Sequence, residues 1–446
     1  MQALTDAQQL RRTRRKAITA GGIGNFVEWF DFALYAQFAT IIGFHFFPAE
    51  DPTASLLATF AVFAVGFLAR PLGGLLFGQL GDRRGRKIAL SLAVLLMSGA
   101  TLAIGLTPSY ATIGVAAPVL LLLWRILQGL SAGGEYAGSS SFVIEHAPVG
   151  RRALFASINP VATAVGTIGG ALTGLIVTLS VTPEQLTDWA WRIPFILAGP
   201  LGIVGLYLRS KVEETPEFQA VAAEQAEMGH QHAPVVEAFR TNKKRMLILF
   251  GWAALNAVAF YLLTSYMVAY MTQRVGFSQA DALLVYIIGL AAFSVTCPLA
   301  GLLADRIGPP KVALASAVLL AVVVLPAFTL MEAQVIGSAV LGLSVYAMVV
   351  GAIATLTPLF MVDLFPVRIR YTASAVSYNL SYAVFGGTAP YLATWMVSNT
   401  DDGKMPGYYV MVLCVLGVVV SLVGISRMYR GRELRDTEVA KSVALV

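Results

Sequence analysis

Charge is what this sequence has least of: Asp, Glu, Lys and Arg together make up 13% of its 446 residues, about half the fraction in an ordinary soluble domain. That shortage argues against a water-soluble globular enzyme. Cysteine is almost missing as well, and Cys297 and Cys414 both stand in apolar runs, which excludes a disulfide scaffold. The histidines His45, His146, His230 and His232 fall in expected loops or helix ends and are too sparse for a metal centre. No P-loop, HExxH or CxxC pattern occurs, so ATP hydrolysis is not expected, nor is any cofactor or metal; the energy source should be an ion gradient.

What is abundant is apolar surface, 57% hydrophobic residues with a mean hydropathy of +0.72. A bilayer core needs about 20 apolar residues per helical span, and the chain divides into twelve continuous apolar stretches. They lie near 18–44, 53–79, 88–107, 111–138, 153–180 and 190–209, then 246–271, 279–303, 311–330, 334–360, 371–397 and 407–427. Continuous runs read as helices, whereas barrel strands alternate over about ten residues. The expected fold is an all-α polytopic membrane protein of two six-helix pseudo-repeats. Its parts are a basic N-terminus (1–17), a first bundle (18–209), a central loop (210–244), a second bundle (245–427) and a tail (428–446). The tail lacks heptads, which disfavours a coiled-coil osmosensor.

Of the 31 lysines and arginines, only Arg274 and Lys404 map to one face. Arg70, Arg125 and Arg192 fall within spans or at their edges, and the rest collect on the other face. The positive-inside rule makes that face cytoplasmic, with both termini and the central loop on it, in a bacterial inner membrane. The basic N-terminus runs into a span carrying Glu28 and Asp31 without an evident cleavage site, so it reads as a first span and not a signal peptide. The net charge of +6 then faces anionic lipid, and nucleic acid is not an expected partner.

The two halves repeat. Gly78, Asp82, Arg83 and Gly85 recur at one constant offset as Gly301, Asp305, Arg306 and Gly308. Glu145, Pro148 and Arg152 recur at nearly the same offset as Asp363, Pro366 and Arg370. Parallel six-helix halves joined by a hydrophilic loop are the architecture of rocking transporters, with the site at the interface of the halves.

The chain resembles the major facilitator superfamily and, within it, the metabolite:proton symporters. The residues that carry this are Gly24-Asn25-Phe26-Val27-Glu28-Trp29-Phe30-Asp31-Phe32, Arg70-Pro71-Leu72-Gly73-Gly74 and the stretch from Gly78 to Lys87. Arg125-Ile126-Leu127-Gln128-Gly129, Gly133-Gly134-Glu135-Tyr136, Trp191-Arg192-Ile193-Pro194-Phe195 and Glu214-Thr215-Pro216-Glu217-Phe218 add to it. The resemblance implies proton-coupled uptake of a small metabolite, in relatives a carboxylate such as citrate, 2-oxoglutarate or shikimate, or a zwitterion such as proline or betaine. It also implies a cytoplasmic latch built from Asp82, Arg83, Arg86, Glu145 and Arg152, with Asp305, Arg306, Asp363 and Arg370 in the second copy. That copy has Pro309 and Pro310 where Arg86 and Lys87 stand, so its latch is expected to be the weaker one.

An ionisable group inside a bilayer costs at least about 2.5 to 3.5 kcal/mol and needs a reason. Glu28, Asp31 and Tyr35 are spaced to share a helix face, with Asn25 one turn before. Two carboxylates one turn apart repel, which suits Glu28 or Asp31 to carry the coupled proton, with Glu135 a secondary candidate. Arg125 and Gln128 form the expected anion site: a guanidinium does not give up its proton, so it needs Glu28, Asp31 or a ligand carboxylate as partner. If the solute displaced the carboxylate, which then took a proton, the two would bind cooperatively. Arg70 is a further candidate, unless it snorkels toward the cytoplasm. The second half offers Asn256 and Tyr266 on one face, with Tyr270, and Tyr378, Asn379 and Tyr382 on another. The leading expectation is a symporter of a small organic acid with protons, acting as a monomer in lipid. The alternative is a symporter of a zwitterionic compatible solute; a sensor or passive channel is disfavoured.

Overall fold

The computed structural model describes residues 25, 26, 28–84, 86–133, 136, 139, 140, 143, 144, 147, 148, 150–210 and 242–430. Among them are twelve principal helices and no strand. They are α1 (28–46), α2 (Pro52–Arg84), α3 (Arg86–Leu106), α4 (Ala116–Ala132), α5 (Arg152–Ser180) and α6 (Arg192–Ser210). The second six are α7 (Lys243–Val275), α8 (Gln279–Ile307), α9 (Pro309–Glu332), α10 (Ile336–Asp363), α11 (367–400) and α12 (Met405–Arg430). Seven of the twelve are individually long and apolar enough to cross a bilayer. Helices α3, α4 and α6 carry shorter apolar stretches. Helix α1 has a turn at Phe38, and α11 winds to a π-turn over Tyr382–Gly386.

Helices sort by what they face. Every residue of α7 from Gly251 to Met271 is buried, whereas α12 presents Val412, Val415, Val419, Leu422 and Val423 outward, as lipid contact requires. Within the first half α2 and α4 are almost in backbone contact: a methyl group on Gly129 would collide with the Gly66 carbonyl, and one on Gly133 with that of Arg70. This approach needs glycine, and it sets Arg70 and Arg125 at neighbouring depths. The Gly129–Gly133 stretch also spells G-x-S-x-G, but Ser131 lies inside α4 and donates its hydroxyl to Ala93 O at 2.6 Å. The halves meet where α5 packs on α8 and α2 on α11.

Two expectations about helix ends change. The repeated Gly-Asp-Arg motifs are not loops, because α2 continues to Arg84 and α8 to Ile307. Asp82 therefore ends α2 and does not begin α3, and Asp305 sits on the last turn of α8. Polar residues past the membrane surface still form helix until a breaker arrives, here Gly308 at φ +95°. The face proposed for Asn256 with Tyr266 is also broken, because π-turns at Leu262–Tyr266 and Met271–Val275 change the winding of α7 between and beyond them.

Candidate functional site

At the centre of the molecule, helices α1, α2, α4, α7 and α11 enclose an aromatic chamber around two buried arginines. Arg125 is fully buried and Arg70 is 4% exposed. Phe32 touches both, with Arg70 at 4.7 Å and Arg125 at 5.2 Å from its ring centre. Arg125 also lies over Tyr35 at 4.1 Å and Phe63 at 4.8 Å, and Arg70 over Phe67 at 4.1 Å. Each desolvated cation–π contact is worth about 0.5 to 2 kcal/mol, so ring faces hold these cations where carboxylates were expected. Arg70 does not snorkel; it turns into the chamber.

The hydrogen-bond inventory is incomplete in an informative way. Arg125 donates from Nη1 to Gln128 Oε1 at 2.7 Å, yet its Nε and Nη2, and Nε and Nη2 of Arg70, have no acceptor. A buried donor left unpaired costs about 1 to 3 kcal/mol. Two guanidinium groups close enough to repel, with four unpaired nitrogens between them, have the chemistry to accept an anionic group.

The second half closes this chamber with Tyr261, which the sequence reading passed over, and with the expected candidates Asn256, Tyr378 and Tyr382. Tyr261 of α7 is fully buried and stands edge-on to Phe67 at 4.8 Å and to Tyr382 at 5.8 Å. Its hydroxyl lies beside the Arg70 guanidinium without a well-aligned hydrogen bond, and Arg70, Glu28 and Arg125 all act on it electrostatically. Trp29 stands edge-on to Phe260 at 5.2 Å and lies 6.0 Å from Tyr261. Asn256 donates to the Tyr382 hydroxyl at 2.6 Å and leaves its own Oδ1 unpaired. Tyr382 continues into Tyr378 at 4.0 Å, and Tyr378 stacks on Tyr136 at 5.0 Å. Tyr261 falls in an apolar run, so only the shift in winding that follows it marks it out, and that is invisible to periodicity.

The carboxylates separate. Asp31 is fully buried toward α3, beside Ser98 and Thr101, and neither of its oxygens makes a hydrogen bond. Glu28 is half-buried and turned toward Tyr136 and Tyr261. The repelling pair is thus not found: the two positions are only about 60° apart round α1, but packing takes Asp31 to α3 and Glu28 toward Tyr136 and Tyr261. Nor does Arg125 pair with Asp31. Gln128 intervenes, accepting from Arg125 and donating from Nε2 to Thr101 Oγ1 at 2.7 Å.

Other candidates have structural occupations. Asn25 donates to Asn159 O at 3.2 Å and Thr163 Oγ1 at 3.1 Å, fastening α1 to α5. Tyr35 gives its hydroxyl to Thr59 O at 2.9 Å while its ring supports Arg125. Tyr266 lies away from the chamber against Tyr270 and Phe60. Asn379, 100° round from Tyr378, reaches Gly133 O of the other half at 3.2 Å. Glu135 and Glu145 lie outside the described residues, as do the side chains of Asp82, Arg83 and Arg86.

On the basic face the second-copy motif is engaged. Asp305 accepts from the backbone N–H groups of Ala153 at 2.8 Å and Leu154 at 3.0 Å, capping the start of α5 from the other half of the molecule. Gly301 permits this approach, lying against Ala153 and Leu154. Arg152 pairs with Asp363 at 2.7 Å, and Tyr429 donates to the other oxygen of Asp363 at 2.8 Å. Arg370 donates from Nε to Phe365 O at 3.4 Å, and Arg306 is exposed. On the opposite face Gln279 donates to Gln37 O at 2.9 Å and Gln273 to Thr40 Oγ1 at 3.4 Å, again across the halves. The chamber therefore has cross-half contacts on both sides.

Residues 22–390 match the family model of the Major Facilitator Superfamily. The chain belongs to the major facilitator superfamily. It is 39% identical, over 92% of its length and 83% of the relative's, to the proline/betaine transporter of Salmonella typhimurium. It is 37% identical, over 92% of its length and 82% of the relative's, to a glycine betaine/proline/ectoine/pipecolic acid transporter of Dickeya dadantii. A crystal structure of a D-xylose-proton symporter superposes with a TM-score of 0.69 at 20% identity, covering 91% of this chain and 96% of that one, which supports the fold. This facilitator is a multi-pass membrane transporter and not an enzyme. The relatives correct the leading expectation: they are named for zwitterionic solutes and not for organic acids, so the alternative reading takes precedence and the solute need not be anionic.

Proposed function

We propose that this facilitator imports a small zwitterionic compatible solute of the proline or betaine class together with protons, by rocking its two halves about the central chamber. The observation that carries the reading is the pair of buried arginines with unpaired donors inside a ring of aromatic side chains. A solute carboxylate satisfies the free N–H groups of Arg125 and Arg70. Its ammonium end, methylated or not, meets the faces of Trp29, Tyr261 and Tyr382 by cation–π attraction, with Glu28 on the same side. A dicarboxylate satisfies only the first half of that description. The names of the relatives support the same class of solute.

Asp31 is the proton carrier in this reading. It is a fully buried carboxyl with no ion pair, and Thr101 and Gln128 stand between it and Arg125. The proton is the only coupling species required. The contacts of Asp305 with the start of α5, and of Arg152 with Asp363, act as the cytoplasmic gate. The excess of basic residues on that face supports a bacterial inner membrane with both termini in the cytoplasm.

A ligand screen by thermal shift over glycine betaine, proline, citrate, 2-oxoglutarate and shikimate tests the solute class. Stabilisation by the first two and not by the acids is expected. Stabilisation by the acids alone returns the organic-acid reading.

A further inference from the structure

From Arg125 toward Asp31 runs a chain of buried polar groups, Gln128 and Thr101, that stops short of the carboxylate. Arg125 Nη1 donates to Gln128 Oε1 at 2.7 Å, and Gln128 Nε2 donates to Thr101 Oγ1 at 2.7 Å. The Thr101 hydroxyl donates in turn to Met97 O at 3.0 Å, one helical turn back. Gln128, Thr101 and Ser98 are 1%, 0% and 3% exposed. Asp31 lies within reach of the Thr101 and Ser98 hydroxyls, yet no well-aligned hydrogen bond joins its oxygens or the Ser98 hydroxyl to a partner. Three unpaired polar atoms side by side in a dry interior mark a network caught in one of two arrangements.

We propose that Thr101 is the positioning residue that couples the proton on Asp31 to the solute grip of Arg125, its single hydroxyl hydrogen choosing between Met97 O and the Asp31 carboxylate. This rests on the proton-coupled reading above. The Met97 carbonyl is already the acceptor of a helix bond, so leaving it costs little. With Asp31 ionised, the hydroxyls of Thr101 and Ser98 turn to the carboxylate. A hydroxyl donating to an anion is a stronger acceptor, so Thr101 holds Gln128 more tightly, and the amide of Gln128 holds Arg125 more tightly. The guanidinium is then occupied within its own half. With Asp31 protonated, Thr101 returns to Met97 O, as in the structure, and its weaker hold through Gln128 leaves the unpaired Nε and Nη2 of Arg125 to turn to the solute carboxylate. Proton and solute thereby bind cooperatively, as symport requires. The other charged and titratable groups facing this network are Arg70 of α2, Tyr35 and Glu28 of α1, and Tyr261 of α7. None of them lies in the chain from Asp31 to Arg125.

The test is the pH dependence of equilibrium binding, measured with radiolabelled glycine betaine on the purified full-length transporter between pH 5.5 and 8.5. Wild-type affinity is expected to fall at least tenfold as pH rises. Thr101→Val is expected to bind at acidic pH within about threefold of wild type and to lose most of the slope, and Thr101→Ser to restore it. Gln128→Met breaks the next link and is expected to lose the same pH slope, whatever its affinity at acidic pH, should Thr101→Val not fold. A Thr101→Val or Gln128→Met protein with the full wild-type slope overturns the relay while leaving proton coupling intact. A wild-type affinity independent of pH removes the coupled reading, and the relay with it.

Discussion

Arg125 and Asp31 make the sharpest predictions at the scale of single residues. Arg125→Lys keeps the charge but loses the planar fork. Because hydrogen bonds to charged groups are worth about 1.5 to 3 kcal/mol, glycine betaine affinity measured by calorimetry should fall by at least about tenfold. An unchanged affinity would place the anion site elsewhere. Asp31→Asn should abolish accumulation against a gradient while solute exchange across the membrane continues, because the amide keeps the shape and removes the titration. Accumulation by that variant would pass the proton role to Glu28. Arg125, Asp31 and Glu28 were legible in the sequence because charges in apolar spans stand out. Their partnerships were not, since spacing along one helix says nothing about which neighbour a side chain meets. Ring faces around Arg125, and hydroxyls beside Asp31, come from α1, α2 and α3 through packing that no single segment encodes. Tyr261 was missed for a related reason: a tyrosine in an apolar helix carries no signal until the opposite half is in place.

Helix pairs are where glycine spacing acts. The α2–α4 contact brings Gly66 against Gly129 and Arg70 against Gly133, and any side chain larger than hydrogen on Gly129 or Gly133 must push the helices apart. Gly129→Val should cost about 1 to 3 kcal/mol by overpacking and displace Arg125 from Phe63. Both a lower melting temperature and weaker solute binding are expected, and a variant with wild-type values of each would show that the contact is loose. The existence and number of helices followed from hydropathy alone, because a bilayer enforces span length so strictly. The π-turns of α7 and α11 did not, since extra residues in a turn leave the composition unchanged. They alter which residues share a face, which is why Asn256 meets Tyr382 while Tyr266 faces Phe60.

On the scale of the whole molecule, the second-copy motifs hold the two halves together. Asp305 and Asp363 of the second half grip the start of α5 and Arg152 of the first. Removing either grip should favour opening of the cytoplasmic side. A cysteine placed at Asn379, between the halves, should react several-fold faster with a cytoplasmic impermeant maleimide in Asp305→Ala or Asp363→Ala backgrounds. Equal rates would mean that these contacts do not gate. That the motifs repeat was plain in the sequence; that an aspartate of one half caps a helix of the other was not, because a cap in trans has no local spacing.

Everything above converges on one claim, that a proton gradient drives a zwitterion through this chamber. It is tested most directly in proteoliposomes containing only the purified chain, with an inward proton gradient and external radiolabelled glycine betaine. Uptake should rise above the equilibrium level, collapse on addition of a protonophore, and be absent with Asp31→Asn. Accumulation that survives the protonophore, or equilibration that never exceeds the external concentration, would contradict the account.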